Sequence, residues 1–484
     1  MNEYAEKLFR AVGDVKDDIV AGALELDERL SKKHKLIRFT SAASVAAVAV
    51  IVLGAVFGHV LSPVNLLMVA SAQVPRDSIY NTMSYDLRKG IMENASRRNA
   101  DLNGFWSGTM RTFLPGGSGN SVFSPVCVYN GLSMAAEITD GDTRAQILEL
   151  LGENDIGSLR ADTKDLWLAD YRPDTKACQV TASSLWLNEG MLYKKDTLDI
   201  LANDCFASTY KGKMGSAQYD EALHGWLNNQ TGGLLKDYVS GISMKAPGGY
   251  DLPVIEIVST VNFTGKWLNA FSGANTAPGT FHAPTGDTTC DFMHQKNMEM
   301  DYFWGEKFSG GVLYFKNNGS SMRFILPDVG YTPENLLADD EAMYFISGGN
   351  FANRVNDITD TCGSKWLYVD LAVPKFDISQ NIDLSEGLQK LGITDIFDAK
   401  KADFSPLTDI PEVAASRMST AARVLIDEEG CKAAAYFEMQ AAGNAGPPED
   451  HAELILDRPF LFTIFTLEGQ PLFSGIIRDP TAHN

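Results

Sequence analysis

The chain has 484 residues, 45% of them hydrophobic, and a formal net charge of −21. That composition supports a substantial core, and the acidic balance argues against nucleic-acid phosphates and against a polybasic grip on anionic lipid. The six cysteines (127, 178, 205, 290, 362, 431) form no CxxC, and no HExxH, GxSxG or GxxxxGK[ST] occurs, so no metal, cofactor or nucleophile-elbow chemistry is expected and the thiols read as free and mostly buried.

Residues 1–38 read as an amphipathic cytoplasmic head, with Leu8, Val12, Val15, Ile19, Leu24 and Leu26 near helical spacing. Residues 39–61 form an apolar run long enough to span a bilayer. Lys32, Lys33, Lys35 and Arg38 precede it, which predicts a cytoplasmic N-terminus and a C-terminal bulk outside the cell. A signal peptide, with cleavage near Ala70-Ser71-Ala72 and secretion, is the competing reading; the length of the head and of the run favours an uncleaved single-pass anchor in the cell membrane. Residues 62–98 read as a tether, and 99–484 as the folded domain.

In that domain Ser124-Pro125 starts a helix carrying Val128, Leu132 and Ala135 at helical spacing. Gly141 breaks the pattern, and Thr143 is the expected cap of the next helix. Later stretches such as "VIEIVSTVNFTGKW", "KWLYVDLAVPKFDI" and "PFLFTIFTLEGQPLFSGIIRDP" are rich in β-branched and aromatic residues and read as strands. Helices early and strands later predict an α+β fold.

Seven motifs follow one another in a familiar order. They are Phe123-Ser124-Pro125 with "GDTRAQILELLG", "WLNNQTGGLLKDYV" from Trp226, "VNFTGKWLNAF" with Trp267, "VPKFDISQNIDLSEGLQKLGITDIFD", "LIDEEGCKAAA", "DRPFLFTI" and "LFSGIIRDP". Together they resemble the serpin family (serine protease inhibitors) across roughly residues 100–482. The resemblance implies helices packed on large β-sheets and an exposed reactive loop, here about 428–453; the basic-flanked single span with its short head resembles membrane-anchored bacterial serpins. It implies a monomer with no catalytic residues of its own, acting as a suicide inhibitor that forms a covalent acyl complex with a serine protease. The alternative is a non-inhibitory serpin-fold binding or structural protein; a hydrolase has no nucleophile motif to support it.

From Cys431 to Ala442 the loop alternates as a strand does: Cys431, Ala433, Ala435, Phe437, Met439 and Ala441 are small or apolar, with a mostly polar set between them. Inhibitory serpins insert this segment into the main sheet after cleavage. The resemblance makes Glu428, Glu429, Gly430, Cys431, Lys432, Ala433, Ala434 and Ala435 the hinge, and family spacing sets the scissile bond at Asn444–Ala445. A register shift would move it into Ala441, Ala442 and Gly443; these small residues and the lack of a nearby Arg or Lys point to elastase-like or subtilisin-like targets. The residues where the sheet must part map to Ser124, Cys127, Ser259 and Thr420. A Ser259–Thr420 hydroxyl pair and ordinary small buried residues are the two readings. Trp267 covers the upper end of the sheet by the same resemblance, or is a plain core tryptophan.

Overall fold

The computed structural model describes residues 64, 67–173, 178–233, 235, 254–316, 319–349, 361–431 and 450–482. The expected head and apolar span, 1–61, fall outside them; among the described residues no helix is long and apolar enough to cross a membrane.

Strand β1 (Met68–Ala70) is followed by helices α1 (Ile79–Thr82), α2 (Tyr85–Asp101) and α3 (Asn103–Phe113). The stretch from 68 to 98, expected as a tether, is thus built into the fold. Its apolar residues explain why: Ile79 is buried, and Leu67 and Met68 pack on a core cluster that holds Trp186 and Tyr219. Next come β2 (Ser121–Phe123) and α4 (Pro125–Ile138), which starts where the Ser124 side chain accepts the Cys127 N–H and Pro125 takes the first turn. Every residue of α4 is buried, so Val128, Leu132 and Ala135 mark one face of a helix that is covered all round.

Helix α5 (Gly141–Leu151) begins one turn earlier than expected, with Asp140 before it. Thr143 lies inside that turn, where its hydroxyl accepts the Asp403 N–H at 3.0 Å, so it ties two segments rather than capping one. The chain continues through α6 (Ile156–Asp170), β3 (Gln179–Asn188), α7 (Lys195–Asp204), β4 (Ala207–Gly212), α8 (Ala217–Gln230), β5 (Val254–Phe263) and β6 (Gly265–Lys266). Strands β7 (Thr276–Ala283), β8 (Gly286–Gly305), β9 (Phe308–Tyr314) and β10 (Ser321–Pro327) lead to α9 (Pro333–Leu337) and α10 (Asp340–Ile346). Then follow β11 (Gly363–Pro374), β12 (Phe376–Asp383), α11 (Ser385–Lys390), β13 (Ala414–Asp427), β14 (Gly430–Cys431), β15 (His451–Ile455), β16 (Phe460–Phe465) and β17 (Pro471–Ile477).

The main sheet runs β1-β4-β3-β5-β13-β14-β6, with β12 on β13; the second runs β15-β11-β8-β9-β10-β16-β17-β2, with β7 on β8. One cluster (Ile257, Met418, Leu132) fills the space between the main sheet and α4, and another (Val424, Ile426, Phe460, Phe462) fills the space between the two sheets. The expected α+β class holds, because near-continuous apolar strands such as β16 need cover on both faces, while the early helices supply that cover.

Candidate functional site

Strands β5 and β13 pair in parallel at the centre of the main sheet, from Val254–Ala414 to Thr260–Ala421. Their ladder stops there, although β5 continues to Phe263 and β13 to Asp427. The two strands open into a fork, and β14 sits in it. Gly430 and Cys431 pair antiparallel with Asp427 and Ile426 on one side and with Lys266 and Gly265 on the other. The start of the hinge segment is therefore already the first rung of a strand between two strands that are joined lower down.

The sequence builds this corner locally. The Asp427 carboxylate accepts the Glu429 and Gly430 N–H groups at 2.9 and 3.2 Å, tightening the turn. Gly430 has φ +147°, and a Cβ there would lie 2.2 Å from the Gly265 carbonyl oxygen, so only glycine fits without a shift. Trp267 covers the corner at 1% exposure. Its ring stacks on Phe315 with centroids 4.6 Å apart, and its Nε1 donates to the Asp427 carbonyl at 3.0 Å. The Trp267 and Phe271 N–H groups donate to the Glu429 and Glu428 carbonyls, both at 3.0 Å.

The two hinge glutamates differ in surroundings. Glu428 accepts from Thr276 Oγ1 at 2.8 Å and pairs with Lys375 at 3.2 Å. Partial burial opposes its ionisation, but its backbone, Thr276 and Lys375 contacts hold the carboxyl below the usual range. Glu429 meets Lys266 at 3.1 Å on an exposed rim, where such a pair contributes little. Cys431 is buried, and desolvation pushes its thiol up to about 12, so it behaves as a small hydrophobe rather than a nucleophile. Of the six cysteines, Cys127, Cys205 and Cys431 are buried, and Cys178, Cys290 and Cys362 are only half-buried.

Ser124, Cys127, Ser259 and Thr420 do come together where β5 and β13 join; of the two readings, the Ser259–Thr420 hydroxyl pair is not made. Ser259 and Thr420 are neighbours across the ladder, yet Ser259 Oγ bonds Ser183 Oγ of β3 at 2.9 Å. Ser183 stands directly opposite Ser259 in the antiparallel β3–β5 ladder, which brings the two hydroxyls to bonding distance. Thr420 Oγ1 has no oxygen or nitrogen partner among the described residues; the Cys127 thiol is the polar group beside it. Burial raises that thiol to about 12.

Three contacts across the β5–β13 join escaped sequence reading. Thr260 Oγ1 donates to the Ala421 carbonyl at 3.3 Å, Ser419 Oγ to Glu256 Oε1 at 3.4 Å, and Ser416 Oγ to the Ile255 carbonyl at 3.1 Å. The partners lie 161 or 163 positions apart, so no local pattern announces them. All are single bonds of modest strength, about 1 kcal/mol apiece, which suits a join that must part. Lys432, Ala433, Ala434, Ala435, Ala441, Ala442, Gly443, Asn444 and Ala445 lie outside the described residues. Past the loop the chain returns at Asp450, which pairs with Lys365, and β15 runs parallel to β11. Among the described residues no cluster of side chains suits a metal ion.

A fork in the main sheet seated with the start of a long loop is matched by sequence. The family model "Serpin (serine protease inhibitor)" matches residues 112–480, well over half of the chain. The chain belongs to the serpin family. Alpha-1-antiproteinase of Callosciurus caniceps is 26% identical over 378 residues, covering 75% of this serpin and 84% of the relative. Iris of Ixodes ricinus is 27% identical over 374 residues, covering 75% and 93%. Among solved structures, the native state of the thermophilic serpin tengpin superposes with a TM-score of 0.64 at 23% identity, over 84% of this chain and 97% of tengpin. Thyroxine-binding globulin in complex with thyroxine gives a TM-score of 0.65 at 20% identity, over 79% and 100%. These likenesses show the fold. Serpins are in general protease inhibitors rather than catalysts, and the curated relatives are mostly named as inhibitors.

Proposed function

We propose that this serpin is a suicide inhibitor of extracellular serine proteases, held at the cell membrane by residues 39–61. One observation carries the reading: Gly430 and Cys431 sit in the fork in register with both flanking strands. Continuing the two ladders downward would set Ala433 between Val424 and Phe263, Ala435 between Ala422 and Val261, and Met439 between Met418 and Ile257. Both ladders project onto pairs that β5 and β13 already make, such as Met418–Ile257 and Thr420–Ser259. The small, apolar alternate residues would thus face the cores holding Val424, Ala422 and Met418. Gly443 would meet Ala414, the first residue of β13. A cut at Asn444–Ala445 would free the length of strand that β13 can accept, with Asn444 one residue beyond its end.

In the proposed reaction the protease serine Oγ attacks the Asn444 carbonyl carbon. The bond to the Ala445 nitrogen breaks, and that amine leaves with a proton from the protease's own base. The resulting ester tethers the protease to Asn444. Insertion then carries it about 46 Å, at ~3.3 Å per residue, and new ladder bonds and buried apolar surface drive the movement. Ala441, Ala442 and Gly443 suit the shallow pockets of elastase-like or subtilisin-like proteases.

A second reading, a serpin-fold binding or structural protein that never inserts, draws on Phe437. By the same register Phe437 would enter between Ser259 and Thr420, beside Cys127, where only small groups now meet. Overpacking of that kind costs about 1–3 kcal/mol. The test is to mix the full chain, in detergent, with an elastase. Expected are an adduct that survives denaturing electrophoresis, a new N-terminus at Ala445 and a higher melting temperature for the cleaved chain. Cleavage with no adduct and no change in melting leaves the second reading standing instead.

A further inference from the structure

Glu256 lies on β5 at the join with β13, 2% exposed, on the face that α8 covers. Its cross-strand neighbours are Arg417 on β13 and Trp186 on β3. The β5–β13 ladder is irregular at this rung, between Ala415 and Arg417. The contact that Glu256 makes across the join is the Ser419 hydroxyl, at 3.4 Å. The charged and titratable groups facing it are Arg417 on β13, Asp383 at the end of β12, and Tyr219 and Asp220 on α8. Around it the polar atoms are under-satisfied: Tyr219 Oη, Asp220 Oδ1 and Arg417 Nε have no hydrogen bond among the described residues. Arg417 Nε is instead 3.6 Å from the Asp383 carboxylate, so its charge is shared between two acids.

We propose that Glu256 is a proton latch on the closed main sheet: its carboxyl is neutral while β5 and β13 are joined, and opening of the sheet releases the proton to water. The physical reason is desolvation. A carboxylate buried without a full set of donors is costly, and one long hydroxyl contact does not supply that set. Burial, offset only in part by Arg417 and Ser419, raises the Glu256 pKa to about 8. When the strands part, the carboxyl meets solvent and returns to the ordinary range. The closed sheet then binds one proton more than the open sheet, so opening is favoured as pH rises, from the ordinary carboxyl range up to about pH 8. Below that window Glu256 is neutral in both states, and above it ionised in both. The same join is the one that an inserting loop has to part, so the latch sets how readily the sheet accepts a strand. That last step rests on the proposed inhibitory reading; the latch itself does not.

The test is amide hydrogen exchange on the full chain in detergent from about pH 5.5 to 9, corrected for base catalysis. Expected is an opening constant for β5 and β13 amides that climbs by up to about tenfold per pH unit and levels off near pH 8, with no such slope in β9 and β10. Glu256→Gln, which keeps the shape and cannot ionise, is expected to be flat. A flat profile in the unmodified chain overturns the latch, and this arm needs no variant to fold. An unchanged slope in Glu256→Gln overturns it equally. A second arm cleaves the loop with elastase and follows the rise in thermal stability with time at about pH 6 and about pH 8. A slope in exchange with no gain in stability on cleavage would sink the inhibitory reading and leave the latch intact.

Discussion

Gly430 turns the chain with φ +147° against the Gly265 carbonyl, so any side chain there is strained and collides. Gly430→Ala is expected to cost about 1–3 kcal/mol, read as a lower urea midpoint with unchanged slope. Cys431, the next residue, fills a buried site that needs a small apolar group, and its raised thiol pKa makes it inert to alkylation in the native state. Phe437→Ala should raise the fraction of encounters that end in a covalent complex, because it removes the one large group due between Ser259 and Thr420; an unchanged fraction would count against the proposed register. At this scale the alternation from Cys431 onward was legible, since strand faces have a period of two. The partner of Ser259 was not, because Ser183 lies 76 positions away and only the β3–β5 register brings it opposite.

Among the elements, β1 and the two described residues before it turn an expected tether into part of the sheet. β1 pairs with β4 and covers that edge strand. Leu67 lies where a Cβ on Gly212 would come within 2.9 Å of it, and Val64 within 3.1 Å of one on Gly225 of α8. The glycines make two notches that the N-terminal side chains fill, one on the sheet and one on the helix above it. Leu67→Ala is expected to cost about 2 kcal/mol in a denaturant titration. A second clasp holds α1: Tyr80 donates to Glu468 at 3.2 Å, and the Arg172 guanidinium lies 3.8 Å from the Tyr80 ring centre. Asp170 is buried in the same cluster, and burial together with the neighbouring Glu468 holds its pKa well above the ordinary value. A carboxyl raised in the folded state contributes stability at low pH that is lost as pH rises through the folded value. Asp170→Asn should therefore flatten the fall in stability above the ordinary carboxyl range, measured as urea midpoints across a pH series.

For the whole molecule the expected signature is mechanical. In the native state the central pair β5–β13 is parallel, joined by its backbone ladder and a few single side-chain bonds, and forked at the top around β14. Cleavage at the proposed bond should raise the melting temperature by many degrees, since a full antiparallel strand of ladder bonds and apolar contacts is added; scanning calorimetry of intact and cleaved chains measures it. What the sequence determined by itself was the family, the α+β class and the alternation that follows Gly430. Those rest on local periodicity and on ordered motifs, which need no knowledge of distant neighbours. What only the tertiary structure decided was pairing over long separations: the Ser183–Ser259 bond, the docking of β1 on β4, the Glu256 carboxyl set against α8, and the seating of Gly430 and Cys431 in register with both strands. These depend on which segments the sheet brings side by side, and a chain read one residue at a time carries the ingredients of such contacts but not their partners.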